Sequence, residues 1–374
     1  METTLVQSSW GQHRALANCP QCDSTFLLPQ DEAAAEDTAV PCPFCAQAEL
    51  TRLPDDAGQS LLASPPEMLA PFTADAAQLP QTLARFAKST RFAPADLTPQ
   101  NLHDRLRPLF LPMWLVDASA QAQWQAEAGF DYQVVSHREQ FQNGQWRTQK
   151  IEETKIRWEP RVGLLNRRYE NQVAPALEEH AQLEQTLGHF RRQEAIAYQP
   201  GILGKALVRL PNRPTADAWP EAQETIKTRA AEECQQAAAA DHIRQFRWAA
   251  QFADQTWTQL LLPIYTSYYR DDDGIVRRVY VHGQTGSLHG ERHASMKKAR
   301  RWAATIAICA AVLFLLSLML AAAGYFLPDV LPLAILGFVV ALGVGILAFL
   351  PPLLAWLMNH QQKPLTFNDK RKIQ

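Results

Sequence analysis

The sequence has almost no net charge. Its 374 residues carry 36 Lys+Arg against 38 Asp+Glu, a formal −2, which excludes a uniformly basic nucleic-acid coat and an acidic, disordered solvator. Common marks of catalysis are also missing. There is no Gly-Lys-Ser/Thr phosphate loop, no His-Glu-x-x-His helix, and no Ser-His-Asp ordering or paired-carboxylate motif, so the chain is not expected to be an enzyme. The first residues, METTLVQSSWGQHR, contain no apolar core of an export signal, and the large soluble part is therefore expected to face the cytosol.

The near-zero total hides a segregation of charge. Residues 1–60 hold nine acids against Arg14 and Arg52, net −7, whereas residues 297–374 hold eight bases against Asp329 and Asp369, net +6. The basic end also carries the long apolar runs. Ala303–Phe326 is 24 consecutive uncharged residues, and Val330–Met358 is a second such run after Leu327-Pro328-Asp329. At about 1.5 Å rise per residue the first makes a helix of roughly 36 Å, enough for a hydrocarbon core of about 30 Å. Buried helices of a soluble core are shorter and keep a polar face. The expectation is a C-terminal two-helix transmembrane hairpin, about 303–326 and 330–350, with Pro351-Pro352 ending or kinking the second helix. Trp302, Tyr325 and Trp356 stand where interfacial aromatics belong.

Lys297, Lys298, Arg300 and Arg301 precede the first run and Lys363, Lys370, Arg371 and Lys372 follow the second, while the turn between them has no Lys or Arg. The positive-inside bias then predicts a multi-pass protein of the inner (cytoplasmic) membrane with N- and C-termini cytoplasmic. The same basic run suits anionic headgroups. Gly337, Ala341 and Gly345 recur every four residues, a stripe for close packing against the first helix or for homo-oligomer contacts through the transmembrane helices.

Four of the six cysteines fall as Cys19-Pro-Gln-Cys22 and Cys42-Pro-Phe-Cys45. This is the spacing of a structural zinc site, in which each Cys-x2-Cys turn aims two thiolates at one point and the closed tetrahedron leaves no position for water. One structural Zn2+ on Cys19, Cys22, Cys42 and Cys45 is the expectation. A reducing cytosol disfavours two disulfides, and a thioredoxin-like redox pair would want a single motif between strand and helix. Cys234 and Cys309 are expected to be small packing residues. The acidity of this segment disfavours nucleic acid, which is bound through Lys and Arg, and favours a protein partner or a purely structural role.

Between the ends, Pro54, Pro65, Pro66, Pro71 and Pro80 suggest a semi-extended linker over 53–97. A short helix is predicted from Thr98 to about Leu106. Trp114, Val116, Ala118, Ala120, Ala122, Trp124, Ala126 and Ala128 alternate with mostly polar residues and predict a long strand with one buried face. Phe130–Phe141 and Gln145–Trp158 flank Asn143-Gly144, a two-residue hairpin turn, and Arg161–Val173 reads as a further strand. Helical stretches are predicted at Pro175–Arg192 and Pro220–Phe246, the latter with Ile226, Ala230 and Cys234 on one face. Trp257–Arg270 and Ile275–Gly283 form a second hairpin around Asp271-Asp272-Asp273-Gly274. The mixed Arg, Lys and Glu of residues 138–170 read as a solvated sheet face. The segment His282–His293 gathers three histidines and three glycines. Tight turns are favoured there over a second metal site on His289, Glu291 and His293 or a phosphate nest.

The chain resembles a family of uncharacterised bacterial membrane proteins that begin with a zinc ribbon and end with transmembrane helices, often labelled primosomal or helicase-like. The resemblance rests on the two Cys-Pro-x-Cys knuckles, Leu111-Pro-Met-Trp114, Leu262-Pro-Ile-Tyr265, and Val281-His-Gly-Gln-Thr-Gly286 followed by Gly290-Glu291 and Ser295-x-Lys297. No helicase motor motif is present, so that label does not carry over. Members usually have Asn where His282 stands, and some are associated with membrane-stress proteins.

The reading is thus an α+β chain: a zinc ribbon (1–52), a Pro-rich linker (53–97), a β-rich cytosolic domain (98–296) with a helical insertion around 175–247, and the transmembrane hairpin with basic flanks (297–374). It implies a non-enzymatic, membrane-anchored cytosolic adaptor or scaffold in contact with the lipid bilayer and a protein partner. The alternative is a membrane-tethered nucleic-acid-binding protein.

Overall fold

The computed structural model describes residues 14–29, 39–53, 65–142, 145–199 and 201–361. In chain order its strands and helices are β1 (Leu16–Asn18), β2 (Thr25–Leu27), β3 (Thr51–Arg52), β4 (Met68–Leu69), α1 (Leu79–Ser89), α2 (Pro99–Asp104), β5 (Arg107–Gln142), β6 (Gln145–Ala174), α3 (His180–Leu187), β7 (Ile196–Ala197), β8 (Leu207–Arg209), α4 (Thr215–Ala237), β9 (His242–Arg270), β10 (Val276–His282), β11 (Leu288–Gly290), α5 (Met296–Ala323), α6 (Leu331–Leu347) and α7 (Leu350–Gln361). The α and β mixture is as expected, but the division differs. One compact unit comprises Met1–Pro112, Glu179–Leu210 and Leu261–Gln374, the other Met113–Glu178 and Pro211–Leu260. The segment read as one β-rich domain, 98–296, is thus shared between two units, because β5 and β9 are long enough to run through both.

In the first unit the strands lie in the order β11-β10-β9-β5-β8-β2-β1-β3, with β4 paired to β7. The short strands that flank the cysteine turns belong to this sheet. β2 pairs antiparallel with β8 through Phe26↔Arg209 and Leu27↔Val208, and β8 pairs parallel with β5. The reading of 53–97 as a semi-extended linker is corrected. Residues 54–64 lie outside the described residues, but the rest of that segment contains β4 and α1. Pro80 sits in the first turn of α1, where its missing N–H costs nothing. Leu79, Leu83, Phe86 and Ala87 bury one helix face against Leu102, Tyr269, Val279 and Val281. α2 forms as predicted, with Thr98 Oγ1 accepting from Asn101 N at 3.1 Å. The β9–β10 hairpin also forms as predicted, pairing Arg270↔Val276 through Ile264↔His282.

Two helical segments of this unit, Met296–Ala323 and Leu331–Gln361, are long and apolar enough to cross a membrane. The second is broken between α6 and α7, just before Pro351-Pro352, whose nitrogens cannot donate to the preceding turn. The small-residue stripe faces α5: Gly337 stands against Ser317 Oγ, where a Cβ would clash, Ala341 is buried, and Phe314 packs edge-on to Phe338 at 5.2 Å. Asn359 of α7 holds Ala294, two residues before α5, its Oδ1 accepting from Ala294 N at 2.8 Å and its Nδ2 donating to Ala294 O at 3.1 Å. The basic residues expected after the second run, Lys363 and Lys370–Lys372, lie outside the described residues.

The second unit is built on β5, β6, β9 and α4. All eight residues of the predicted alternating face, Trp114 to Ala128, are buried. Ala118 and Ala120 make that face shallow, so α4 lies close on it with Ala218, Ala222, Ile226, Ala230 and Cys234, one residue per turn. Gly163 of β6 leaves room for the Trp124 indole, which a Cβ there would meet at 2.5 Å. β5 and β6 pair from Trp114↔Ala174 out to Gln142↔Gln145, while the Asn143-Gly144 turn lies outside the described residues. Arg161–Val173 is no separate strand but the continuation of β6. Pro160 is tolerated within it because, among the described residues, β6 pairs only with β5 and can spare an outward donor.

Both predicted helices shorten. The first is only α3, closed by Gly188 at φ +82, and the second ends at Ala237. β9 starts at His242, well before the predicted Trp257, and its Phe246, Trp248 and Phe252 alternate onto the α4 side.

Candidate metal centre

The four motif cysteines converge. Cys19 and Cys42 each open a turn closed in the same way: Asp23 N donates to Cys19 O and Ala46 N to Cys42 O, both at 2.9 Å, with Asp23 and Ala46 at φ 54 and 53. The left-handed residue just after the second cysteine of each pair closes the turn, and the two turns face each other. The result places Cys19 Sγ 3.5 Å from Cys45 Sγ and Cys22 Sγ 3.7 Å from Cys42 Sγ, with all four sulfurs within 4.8 Å of one another. A tetrahedral ion with metal–sulfur bonds of about 2.3 Å requires sulfur–sulfur edges of about 3.8 Å. The cluster therefore fits one metal ion, while separations of 3.5 Å and more are far too long for disulfides.

Two backbone donors face the sulfurs. Cys45 N donates to Cys42 Sγ at 3.4 Å and Gln47 N to Cys45 Sγ at 3.5 Å. Hydrogen bonds from Cys19, Cys42 and Cys45 pull the Cys22 thiol down, whereas hydrogen bonding to Cys19, Cys22 and Cys45 pushes Cys42 up. Four sulfurs packed so tightly cannot all ionise on their own, and a divalent cation relieves that conflict. Three of the four are buried and Cys22 is partly exposed, and four sulfurs are enough to fill the coordination of one tetrahedral ion.

The knuckle is also tied to the sheet. The Phe44 ring lies 4.0 Å from the Arg209 guanidinium and its carbonyl accepts from Tyr280 Oη at 3.3 Å. Arg209, 2% exposed, pairs with the equally buried Glu179, the residue preceding α3, where the helix dipole favours a carboxylate. No sequence pattern pointed to this pair.

His289, Glu291 and His293 do not meet. Among the described residues the four cysteines form the only group of three or more His, Cys, Asp or Glu side chains able to hold a metal. Glu291 accepts from Arg277 at 3.2 Å, His293 Nε2 lies 3.8 Å from Asp271, and His289 pairs across from Tyr280 in the sheet. His282 is buried, stacks on Phe190 at 4.1 Å, and its Nδ1 accepts from Gln284 N and Thr285 N at 3.1 and 3.3 Å. The glycines serve the turn: Gly286 has φ +71, and a Cβ on Gly283 would strike Pro263 O.

The Ser295-x-Lys297 motif has a physical role in this frame. Ser295 Oγ accepts from Lys298 N to cap α5 and donates to Asp272 Oδ2 at 2.6 Å, while Lys297 Nζ donates to Asp272 O at 2.7 Å. The acidic β9–β10 turn thereby clamps the start of the first apolar helix. No protein-family model, curated protein or solved structure matches this chain.

Proposed function

We propose that this chain is a non-enzymatic, membrane-anchored cytosolic adaptor, related to the zinc-ribbon membrane proteins it resembles and acting in a membrane-stress or membrane-organisation system. In this reading the two apolar segments cross the inner membrane as a hairpin with both termini cytoplasmic. The observation that carries the anchor is exposure. In each of the two segments only 11% of the most apolar window is buried, and side chains such as Ile308, Leu315, Leu336 and Ile346 lie open. A soluble protein rarely leaves that much contiguous apolar surface in water, whereas a bilayer covers it. The turn without Lys or Arg and the basic Lys297–Arg301 flank support the orientation.

One Zn2+ on Cys19, Cys22, Cys42 and Cys45 is proposed as a structural ion, because four thiolates in a closed tetrahedron suit it better than harder cations. When bound it supplies cross-linking rather than reaction chemistry.

The partner surface is proposed to be the outer half of β5 and β6. Beyond Asp131 this is a two-stranded ribbon open on both faces, ending in the cross-strand pair Phe141–Trp146 at 5.3 Å, with the two side chains 60% and 70% exposed. An aromatic pair left in water among charged neighbours is the kind of anchor that protein interfaces bury. Full-length protein carrying Phe141→Ser and Trp146→Ser should lose partners captured by cross-linking in cells. An unchanged set of partners would remove the adaptor surface from consideration.

A further inference from the structure

A groove of about 440 Å³ runs between α1 and the β10–β11 turn, within the range of about 300–1,000 Å³ typical of small-molecule sites. Its floor is apolar, formed by Leu79, Phe86 and Leu288, and its rim is polar. Two guanidinium groups reach it from opposite elements: Arg85 from α1, and Arg292 from the segment after β11, the latter 5.5 Å over the Phe86 ring. Hydroxyls of Thr82, Thr285 and Ser287 complete the rim, the last two 2.8 Å apart. The single carboxylate lining it, Asp75, is already occupied, with Oδ1 accepting from Ala77 N at 2.9 Å and Oδ2 from Gln78 Nε2 at 3.1 Å. Two cations outnumber that one carboxylate, and together with the hydroxyls of Thr82, Thr285 and Ser287 around an apolar floor they form a receptor for a phosphate carrying an apolar or glycerol-like tail.

The groove also opens near the foot of α5. Ser89 at its end is three residues from Phe92, whose carbonyl accepts from Ser295 N at 2.7 Å, and Arg292 is three residues from Ser295 on the other side. Three residues span at most about 11 Å, so this end lies beside the basic first turn of α5, where anionic lipid concentrates.

We propose that this groove binds a phosphate-bearing anion, the source being either an acidic phospholipid headgroup or free phosphate. The lipid source rests on the membrane reading above. Extraction of the R85Q/R292Q variant with alkaline carbonate checks that reading separately, since neither arginine lies in an apolar helix.

The test uses the full chain in neutral detergent. Native mass spectrometry follows retention of phosphatidylglycerol against phosphatidylcholine, and 31P line broadening follows inorganic phosphate. The wild type is expected to prefer phosphatidylglycerol, R85Q/R292Q to bind it at least tenfold more weakly, and the charge-matched control R138Q/R157Q to match wild type. Both groove arginines are exposed, thermal unfolding of each variant checks that its fold is kept, and Ser287→Asp offers an independent like-charge block at the rim. Saturable phosphate binding that is lost in the same variants, without lipid preference, supports the site and assigns the soluble source. Retention of both probes unchanged in R85Q/R292Q and in Ser287→Asp overturns the proposal.

Discussion

The buried pair Arg209–Glu179 gives the sharpest energetic test of how the metal knuckle is built into the first unit. The pair sits beneath Phe44, both side chains almost fully buried, and Arg209 Nε and Nη1 have no hydrogen-bond partner. Compensation therefore comes from one charge contact and one aromatic face. Removing a single partner leaves an uncompensated buried charge, which costs about 3–5 kcal/mol. For a unit of this size each kcal/mol moves the midpoint by roughly 2–4 °C, so Arg209→Met or Glu179→Leu alone should lower Tm by roughly 6–20 °C. The double variant replaces both charges with apolar groups and should recover most of that loss. The assay is thermal unfolding of the detergent-solubilised protein at fixed zinc, followed by near-ultraviolet circular dichroism. Single variants within about 1 kcal/mol of wild type, or a double variant as damaged as the singles, would refute the argument that this is a desolvated pair under Phe44.

Cys42→Ser with Cys45→Ser should take the metal content of purified protein from one zinc per chain to none by elemental analysis, and full occupancy in the variant would remove the site. Burial holds the His282, His289 and His293 pKa values below 6.5. The unfolded state then binds protons more readily, so their contribution is present above pH 6.5 and is lost as pH falls through the folded values. His282→Asn keeps an acceptor for Gln284 N and Thr285 N but cannot titrate, and should show a smaller drop in Tm between pH 7.5 and 5.5; an identical drop would exclude His282 as a contributor. Gly163→Ala forces a methyl into the Trp124 indole and should cost about 1–3 kcal/mol, read as a lower midpoint in urea.

Much of this architecture is legible before any coordinates. The Cys-x2-Cys spacing brings the four sulfurs together, the Trp114–Ala128 alternation marks the buried face of β5, and Ile226, Ala230 and Cys234 identify the buried stripe of α4. Pro80 misleads in the other direction. Counted with its neighbours it suggests a linker, yet a proline in a first turn followed by Leu83 and Phe86 at helical spacing is a helix start. The pairing of β2 with β8 has no local signature, since three residues near position 208 complete a strand edge formed near position 26. β9 is hidden for another reason: the alanine-rich stretch before it continues a helical pattern, and the chain leaves that pattern only at Ala239, where φ is 47. The groove beside α1 is assembled from segments about two hundred residues apart: the Gly286 turn carries a motif, but nothing local shows that α1 lies against it.

The central claim is a cytosolic body held by a membrane hairpin, and its most direct test is the accessibility of the turn between the apolar helices. With Cys309→Ser and Pro328→Cys in the full chain and the four metal cysteines retained, an impermeant maleimide should label position 328 from the periplasmic side of intact cells. It should fail to do so from the outer face of inverted membrane vesicles. Labelling only in the inverted vesicles would reverse the orientation, and recovery of the protein in the soluble fraction would contradict the anchor itself.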